Sequence, residues 1–381
     1  MIARDELGAW LHLVETPGLG SATARRLLAA LGSPQAVLGA TDAALAHLLP
    51  EAQLRALRDP DPARDALPLA TWRWLEAAPA GETRDVLVLG DARYPAALLQ
   101  TADPPLLLHL RGRVDLLAAP SLAIVGSRGA TPQGLANARD FARQLSEQGL
   151  TIVSGLAVGI DAAAHEGALA GRGSTVAFVG TGLDQAYPRP NAALTARIAR
   201  EGLVASEFSL GTPPLPTNFP RRNRLIAGTT RGTLVIEAAL QSGSLITARL
   251  ASEAGREVFA IPGSIHAHLA RGCHELIRQG AKLVESVDDV MVELGLGAPT
   301  RAVMSTPGAS PFAALRAQGE TAAGPDAGLL AAMGHDPVGF DALSARTGWP
   351  ADRLAARLLE LELAGEVQRL PGGLLQRRGR S

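Results

Sequence analysis

Apolar residues follow two different patterns along the chain. From residue 1 to about 80 they recur at helical spacing, which predicts helices at 6–15, at 22–31, near 34–38 and over part of 42–57. After residue 84 the pattern changes to short runs rich in β-branched residues, separated by glycines and by helical stretches. These runs predict nine strands, at 85–89, 106–110, 122–125, 151–154, 175–179, 204–206, 234–237, 258–261 and 282–284.

The alternation of strands and helices predicts the α/β class. Nearly continuous apolar runs are expected where a parallel sheet is covered on both faces. Helices to cover it are visible between the strands, and in one of them apolar residues from Leu135 to Leu145 fall on a single face. We therefore expect an extended, Rossmann-like, doubly wound sheet with its ligand crevice at the carboxyl ends of the strands.

The C-terminal part has a different organisation. Residues 298–325 are rich in Pro, Gly, Ala, Ser and Thr without a sustained period, which predicts a linker. Helical spacing returns at 327–333, 341–347 and 351–364, and a Pro-Gly-Gly turn then separates two strand-like runs. Three helices and a hairpin are typical of a winged helix. The predicted domains are a helical domain at 1–80, a Rossmann-like domain at 82–297, the linker at 298–325 and a winged-helix-like domain at 326–381.

The helical domain contains a Pro-Gly-x-Gly turn. Thr16-Pro17-Gly18-Leu19-Gly20-Ser21 leads into a helix, as in SAM-like and helix-hairpin-helix domains. In a helix-hairpin-helix the backbone amides of such a turn meet a DNA phosphate. The alternative is an ordinary helical hairpin in which the glycines only permit a tight turn.

Composition restricts the cellular setting more than the function. The net charge is −1, so any nucleic-acid site must be a local patch. The single cysteine, Cys273, excludes an intrachain disulfide and a multi-cysteine zinc site, and fits a reducing compartment. The sequence has no run of 18 apolar residues and no apolar signal core after Met1. We therefore expect a cytoplasmic protein without membrane contact.

One segment has the composition of an anion site. Residues 218–228 place three arginines and Phe219 beside a proline turn, and the run from Asn223 to Ile226 is typical of a helix start. Guanidinium groups bind phosphate, an aromatic face can stack on a base, and a helix start adds free N–H groups. The alternative is a solvated basic loop.

Glycine-bearing strand exits surround the expected crevice. They follow the predicted strands at Val125, Ser154 and Val179, where backbone amides can approach an anion. None forms a complete dinucleotide fingerprint or a Walker loop, so no nicotinamide or other cofactor is expected.

Catalytic constellations are weak in this sequence. Asp161 and His165 lie four residues apart on a predicted helix and could exchange protons, although a structural contact is the commoner outcome. His266, His268, Cys273 and His274 cluster without a carboxylate, which does not favour a metal. We predict no catalytic residues and no metal.

Six ordered motifs together resemble the DprA/Smf family over about residues 82–295. They are Gly126-Ser127-Arg128, Ser154-Gly155-x-Ala157-x-Gly159-Ile160-Asp161, Gly180-x-Gly182-x-Asp184-x-x-Tyr187-Pro188, Asn218-Phe219-Pro220-x-Arg222-Asn223-Arg224-x-Ile226-Ala227-Gly228, Ser242-Gly243-Ser244-x-x-Thr247-Ala248 and Ala260-Ile261-Pro262-Gly263.

The resemblance implies a DNA-processing protein of natural transformation that is not an enzyme. Such a protein binds and protects incoming single-stranded DNA, promotes loading of the RecA recombinase, and works as a homodimer. The DNA-binding positions implied by the motifs are Gly126, Ser127, Arg128, Ser154, Gly155, Gly159, Asp161, Gly180, Gly182, Asn218, Phe219, Arg221, Arg222, Asn223 and Arg224. The lysine that often precedes Asn-Phe-Pro in the family is absent here, and Arg221 is its expected substitute. Since only 3% of residues are aromatic, electrostatic attraction should dominate the binding.

Two alternatives remain open from the sequence. The pairing of Arg222-Asn223 with the run ending at Glu237 looks distantly like the nucleotide phosphoribohydrolases on a related fold, whose arginine and glutamate act at an N-glycosidic bond. The other alternative makes the terminal domains the DNA binders and leaves the sheet as a scaffold for dimerisation.

Overall fold

The computed structural model describes residues 2–296, 327–333 and 337–378. Helices occupy its N-terminal part, as the apolar spacing predicts. They are α1 (Arg4–Glu15), α2 (Ser21–Leu31), α3 (Pro34–Gly39), α4 (Asp42–Ala46), α5 (Glu51–Arg58) and α6 (Pro62–Glu76). The helical part predicted within 42–57 consists of two short helices, α4 and α5. They are separated at Pro50, which is the N-cap of α5.

All nine predicted strands are present and form one sheet. They are β1 (Arg84–Val88), β2 (Leu107–Gly112), β3 (Ser121–Val125), β4 (Thr151–Ser154), β5 (Thr175–Phe178), β6 (Leu203–Ser206), β7 (Gly232–Val235), β8 (Glu257–Ala260) and β9 (Lys282–Leu283). Their order across the sheet is β1-β2-β6-β5-β4-β3-β7-β8-β9. From β6 to β9 the neighbours are parallel, whereas β1 pairs antiparallel with β2, and β2 pairs antiparallel with β6. The sheet is thus Rossmann-like with an antiparallel extension at one edge.

Helices cover both faces of the sheet. They are α7 (Ala96–Leu99), α8 (Pro132–Glu147), α9 (Ile160–Ala168), α10 (Ala192–Glu201), α11 (Asn218–Thr229), α12 (Gly243–Glu253), α13 (Arg271–Arg278) and α14 (Val287–Glu293). Alternate residues of one strand face opposite layers: Ala123 packs with α11 and α12, whereas Leu122 and Ile124 pack with α8, α9 and α14. Two buried layers around one sheet confirm the doubly wound α/β class.

The topology fixes where a ligand crevice must lie. Starting from β3, the strands β4, β5 and β6 are added in sequence order on one side of it. The strands β7, β8 and β9 are added in sequence order on its other side. The chain reverses its winding between β3 and β7. In open α/β sheets the ligand crevice forms outside the carboxyl ends of the strands at such a reversal.

The N-terminal helices share a core with the sheet extension. Leu7, Trp10 and Leu11 of α1 belong to the same buried cluster as Val86 and Val88 of β1 and Leu106 and Leu107 at the start of β2. A boundary between domains near residue 80 remains a prediction, but apolar packing continues across it.

The C-terminal elements have their own buried cluster. They are α15 (Ala327–Met333), β10 (Val338–Gly339), α16 (Phe340–Thr347), α17 (Ala351–Leu363), β11 (Val367–Leu370) and β12 (Leu374–Arg377). The strands form a small antiparallel sheet in the order β10-β12-β11, and the core consists of residues between Leu329 and Leu375. This arrangement confirms the predicted winged-helix-like fold. The predicted linker at 298–325 lies outside the described residues.

In the part of the chain that the structure describes, no helix combines the length and apolarity needed to cross a bilayer.

Deleting residues 1–80 should destabilise the remaining sheet. The deletion exposes Val86, Val88, Leu106 and Leu107, and each buried aliphatic side chain that becomes exposed costs about 1.5–3 kcal/mol. We expect a clearly lower Tm for the main transition in calorimetry. Deleting residues 327–381 is the control and should leave that transition nearly unchanged; equal Tm values for both deletions would contradict the shared core.

Candidate functional site

A cleft of about 1040 Å³ opens where the winding reverses between β3 and β7. Its walls include the loop after β3, from Gly126 to Gly129, and the loop after β7, from Ala239 to Ser244. The first turns of α11 and the prolines Pro214 and Pro216 form a further side. The cleft therefore lies where the topology alone requires a ligand crevice.

An arginine and two aromatic rings meet in this cleft. The Arg128 guanidinium carbon lies 5.7 Å from the centre of the Phe219 ring, and the Tyr187 and Phe219 ring centres are 5.6 Å apart with 32° between the planes. Arg128 is exposed, Phe219 is half-buried and Tyr187 is 38% exposed. The three side chains also line a smaller pocket that adjoins the cleft. They present a cation beside flat apolar surfaces, a combination that suits both a phosphate and a base.

Arg222 lies in the floor of the cleft and is buried. Its Nη1 donates hydrogen bonds to the backbone oxygens of Gly155, at 2.5 Å, and Phe178, at 2.6 Å. Gly155 has no side chain, so the guanidinium can occupy the space that a Cβ would fill. Burial lowers the pKa of Arg222 to about 10, which still leaves it charged at neutral pH. Arg222 thus connects α11 by hydrogen bonds to the carboxyl ends of β4 and β5.

Asp161 and His165 lie on α9, as predicted, but they do not form an acid–base pair at the cleft. The Asp161 carboxylate accepts hydrogen bonds from the backbone amides of Gly155 and Ala157, and burial raises its pKa against the opposing effect of Arg222. His165 is fully buried against the Thr175 hydroxyl, and burial lowers its pKa to about 3. Asp161 therefore holds the Gly155–Ala157 loop at the cleft, whereas His165 is buried beside the start of β5.

The helix that carries the arginines begins earlier than predicted. The sequence predicts a helix start at Asn223, but α11 begins at Asn218, whose side chain donates a hydrogen bond to the Gly180 carbonyl. Pro220 lies in the first turn, where a missing N–H group costs little. The Asn223–Ile226 run is therefore inside the helix and offers no free N–H groups to an anion.

Arg221 and Arg224 point away from the cleft. The Arg221 guanidinium carbon lies 5.3 Å from the centre of the Phe208 ring. Arg224 forms ion pairs with Glu207 and with Asp103, the latter at 3.4 Å. Neither arginine is among the residues that line the cleft.

The other predicted positions separate into three groups. The cleft itself is lined by Gly126, Ser127, Arg128, Asp161, Phe219, Arg222 and Asn223. Gly155 and Gly180 line the smaller pocket that adjoins the cleft, and Gly182 lines a second adjoining pocket. Ser154, Gly159 and Asn218 support the loops from behind; at Gly159, with φ of +85°, a side chain would collide with the Ser127 carbonyl.

Two contributors to the cleft are absent from the DNA-binding positions implied by the motifs. Tyr187 and the Ser242-Gly243-Ser244 loop both line the cleft. The Ser242 side chain caps α12, so the start of this 11-residue helix faces the cleft. Both features lie in motifs that carried the family resemblance, and that signal was sufficient to include them.

Two other groups of residues that the sequence singles out have partners within the protein. The Ser21 hydroxyl and the Arg25 guanidinium at the start of α2 bind the Asp103 carboxylate, at 2.7 and 2.6 Å, so a carboxylate of the chain itself already lies beside the glycine turn. Cys273 is buried and His274 bonds the Gly263 carbonyl. Among the residues that the structure describes, no group of three or more His, Cys, Asp or Glu side chains is placed to hold a metal.

Comparison with known proteins assigns the family. A family model described as DNA recombination-mediator protein A matches residues 85–295, which is more than half of the chain. The chain belongs to the DprA/Smf family. A second model, the DprA winged helix domain, matches residues 313–373.

Individual relatives of the DprA/Smf family cover much of the chain. Protein Smf of Escherichia coli is 42% identical over 286 residues, 75% of each protein. DNA processing protein DprA of Streptococcus pneumoniae is 51% identical over 203 residues, which span 53% of this chain and 72% of that protein.

Two solved structures support the same assignment. The X-ray structure of DprA from Streptococcus pneumoniae superposes with a TM-score of 0.62 at 37% identity, over 77% of this chain and 98% of that one. DprA from Helicobacter pylori, whose structure concerns its single-stranded DNA binding mode, superposes with a TM-score of 0.51 at 32% identity, over 55% of this chain and 95% of that one.

Replacing Arg222 should damage the fold, unlike replacing Arg128. Arg222→Ala leaves the buried carbonyls of Gly155 and Phe178 without their donor, which should lower the free energy of unfolding by about 2–4 kcal/mol. Arg128→Ala changes an exposed side chain and should stay within about 0.5 kcal/mol. Thermal and denaturant unfolding of both variants measure the difference. Wild-type stability in Arg222→Ala would contradict the structural role.

Proposed function

We propose that this protein binds single-stranded DNA in natural transformation, with the cleft between β3 and β7 as its binding site. The observation that carries the proposal is the meeting of exposed Arg128 with the Phe219 and Tyr187 rings beside the start of α12. A strand without a partner exposes both phosphates and base faces, and this cleft offers a group for each.

The chemistry of the cleft favours sequence-tolerant binding. Phosphates would bind the Arg128 guanidinium, and the positive end of the α12 dipole would attract them to the same side of the cleft. Bases would stack on Phe219 and Tyr187, since every base has an aromatic face. Although the low aromatic content of the whole sequence favours electrostatic attraction, we expect stacking to contribute as much, because the Phe219 and Tyr187 rings lie together in the cleft.

The comparisons support this proposal at the level of the family. The Helicobacter pylori relative is described by its mode of single-stranded DNA binding, and this chain covers 95% of it. Direct contact of DNA by Arg222 or Arg224 is not part of the proposal, because the first is buried under the cleft and the second pairs with Glu207.

We propose a binding protein rather than an enzyme. The phosphoribohydrolase alternative requires a free carboxylate at Glu237. Both oxygens of that carboxylate instead accept hydrogen bonds from Thr131, one from its amide and one from its hydroxyl. This engagement supports a structural role for Glu237.

Two variants should separate electrostatic attraction from stacking. Arg128→Ala should weaken single-strand binding several-fold and reduce the slope of log K against log salt by about 0.7, the value for one phosphate contact. Phe219→Leu should weaken binding by about tenfold with an unchanged slope, because stacking is worth about 1–3 kcal/mol per base. Fluorescence anisotropy with mixed-sequence oligonucleotides at several salt concentrations measures both.

The matched control is Arg139→Ala, in the middle of α8, where the arginine pairs with Glu166 at 2.8 Å and does not line the cleft. It should bind like the wild type. Unchanged binding by both cleft variants would contradict the proposed site.

We further propose that the protein protects incoming strands, acts as a homodimer and promotes RecA loading. A dimer doubles the number of cleft contacts on one strand, which raises the effective concentration of the second site. We expect the wild type to accelerate RecA filament formation on oligonucleotides coated with single-strand binding protein, and Arg128→Ala to do so less. Light scattering that finds only monomer at micromolar concentration, or no acceleration by the wild type, would contradict this part.

A further inference from the structure

Glu237 lies just after β7 and binds both ends of the loop that follows β3. Its backbone carbonyl accepts a hydrogen bond from the Ser127 amide at 2.8 Å. Its carboxylate accepts from the Thr131 amide at 2.9 Å and from the Thr131 hydroxyl at 2.5 Å. Thr131 is the N-cap of α8, so the carboxylate lies at the positive end of a 16-residue helix.

The start of α8 is the usual place for a nucleotide phosphate in a sheet of this type. It follows β3, the first strand of the parallel part and the strand beside the reversal of winding. In Rossmann-type sheets the phosphates of the ligand bind the N-terminus of the helix that follows this strand. The loop between β3 and α8, from Gly126 to Gly129, lines the cleft.

The chain fills this place with its own anion. Gly134, in the first turn of α8, has no side chain, and a Cβ there would overlap the carboxyl group of Glu237. The missing Cβ lets the carboxylate lie directly on the helix. Thr131, Gly134 and Glu237 therefore form a closed anion site whose occupant is covalently part of the protein.

We propose that Glu237 is a specificity residue whose carboxylate occupies the phosphate position at the start of α8 and so excludes nucleotide phosphates from it. This role goes beyond single-strand binding and does not depend on it. A free nucleotide would have to displace a carboxylate already bonded twice to Thr131. Phosphates in the cleft are then left to Arg128 and the start of α12.

Vacating the site should create a phosphate-binding protein. In Glu237→Ala the negative charge and the four heavy atoms beyond Cβ disappear, while the positive end of α8 remains. We expect inorganic pyrophosphate to bind Glu237→Ala at least about tenfold more tightly than the wild type, since anions at a helix start gain up to about 2 kcal/mol. Isothermal titration calorimetry on the full chain measures this change.

Two further variants test whether the gain in pyrophosphate affinity arises at the start of α8. Adding Gly134→Ala to Glu237→Ala places a methyl group where the carboxylate was, and should abolish the gain. Thr131→Val removes one of the two hydrogen bonds to the carboxylate but leaves its negative charge at the helix start, and should show a much smaller gain than Glu237→Ala. A gain that survives the added Gly134→Ala, or that appears equally in Thr131→Val, would overturn the proposal.

If Glu237→Ala folds poorly, anion binding at the start of α8 can be tested through the Tm of the variant. Acetate supplies the missing carboxylate, so it should raise the Tm of Glu237→Ala relative to chloride at equal ionic strength, and should raise that of the wild type much less. Equal effects of acetate on both proteins, together with unchanged pyrophosphate affinity, would show that the start of α8 is not an anion site.

Discussion

The buried guanidinium of Arg222 is the contact on which the geometry of the cleft depends. An ionised group inside a protein is tolerated only when its donors are matched. Here the backbone oxygens at the ends of β4 and β5 supply the partners, and Asp161 adds a favourable charge nearby. Because Arg222 is fixed, α11 has one orientation, and Phe219, one turn earlier, lies over Gly180 and beside Arg128.

The opposite face of α11 connects the cleft to the N-terminal helices. Arg224 binds the backbone and carboxylate of Asp103, and that carboxylate also accepts from Arg25 of α2. The Arg25 and Arg224 guanidinium groups hold the pKa of Asp103 below its usual value despite the opposing effect of burial. One helix therefore lines the cleft on one side and is linked on the other side, through Asp103, to Arg25 of α2.

The sequence predicted the positions of the strands better than it predicted which arginines line the cleft. Buried parallel strands can be recognised in the sequence as runs of β-branched residues. The antiparallel pairing of β1 with β2 could not be predicted, because these two strands are also largely buried and have the same apolar pattern. For α11 the proline suggested a turn, and the helix start was placed five residues too late. Counted from Asn218, the buried residues Arg222, Leu225 and Thr229 fall at helical spacing, which distinguishes buried Arg222 from exposed Arg221. The pairing of Glu237 with Thr131 spans 106 residues, and no local pattern could reveal it.

Three helix starts show how the protein controls anions with its own side chains. The start of α2 faces Asp103, and the start of α8 faces Glu237, so a carboxylate of the chain already meets each positive end. The start of α12 is different, because Ser242 caps it with a neutral hydroxyl. A positive helix end that faces open solvent attracts an external anion more strongly than one already neutralised. A DNA strand that enters this cleft should therefore direct its phosphates towards α12 and Arg128, which leaves its bases on the side of Phe219 and Tyr187.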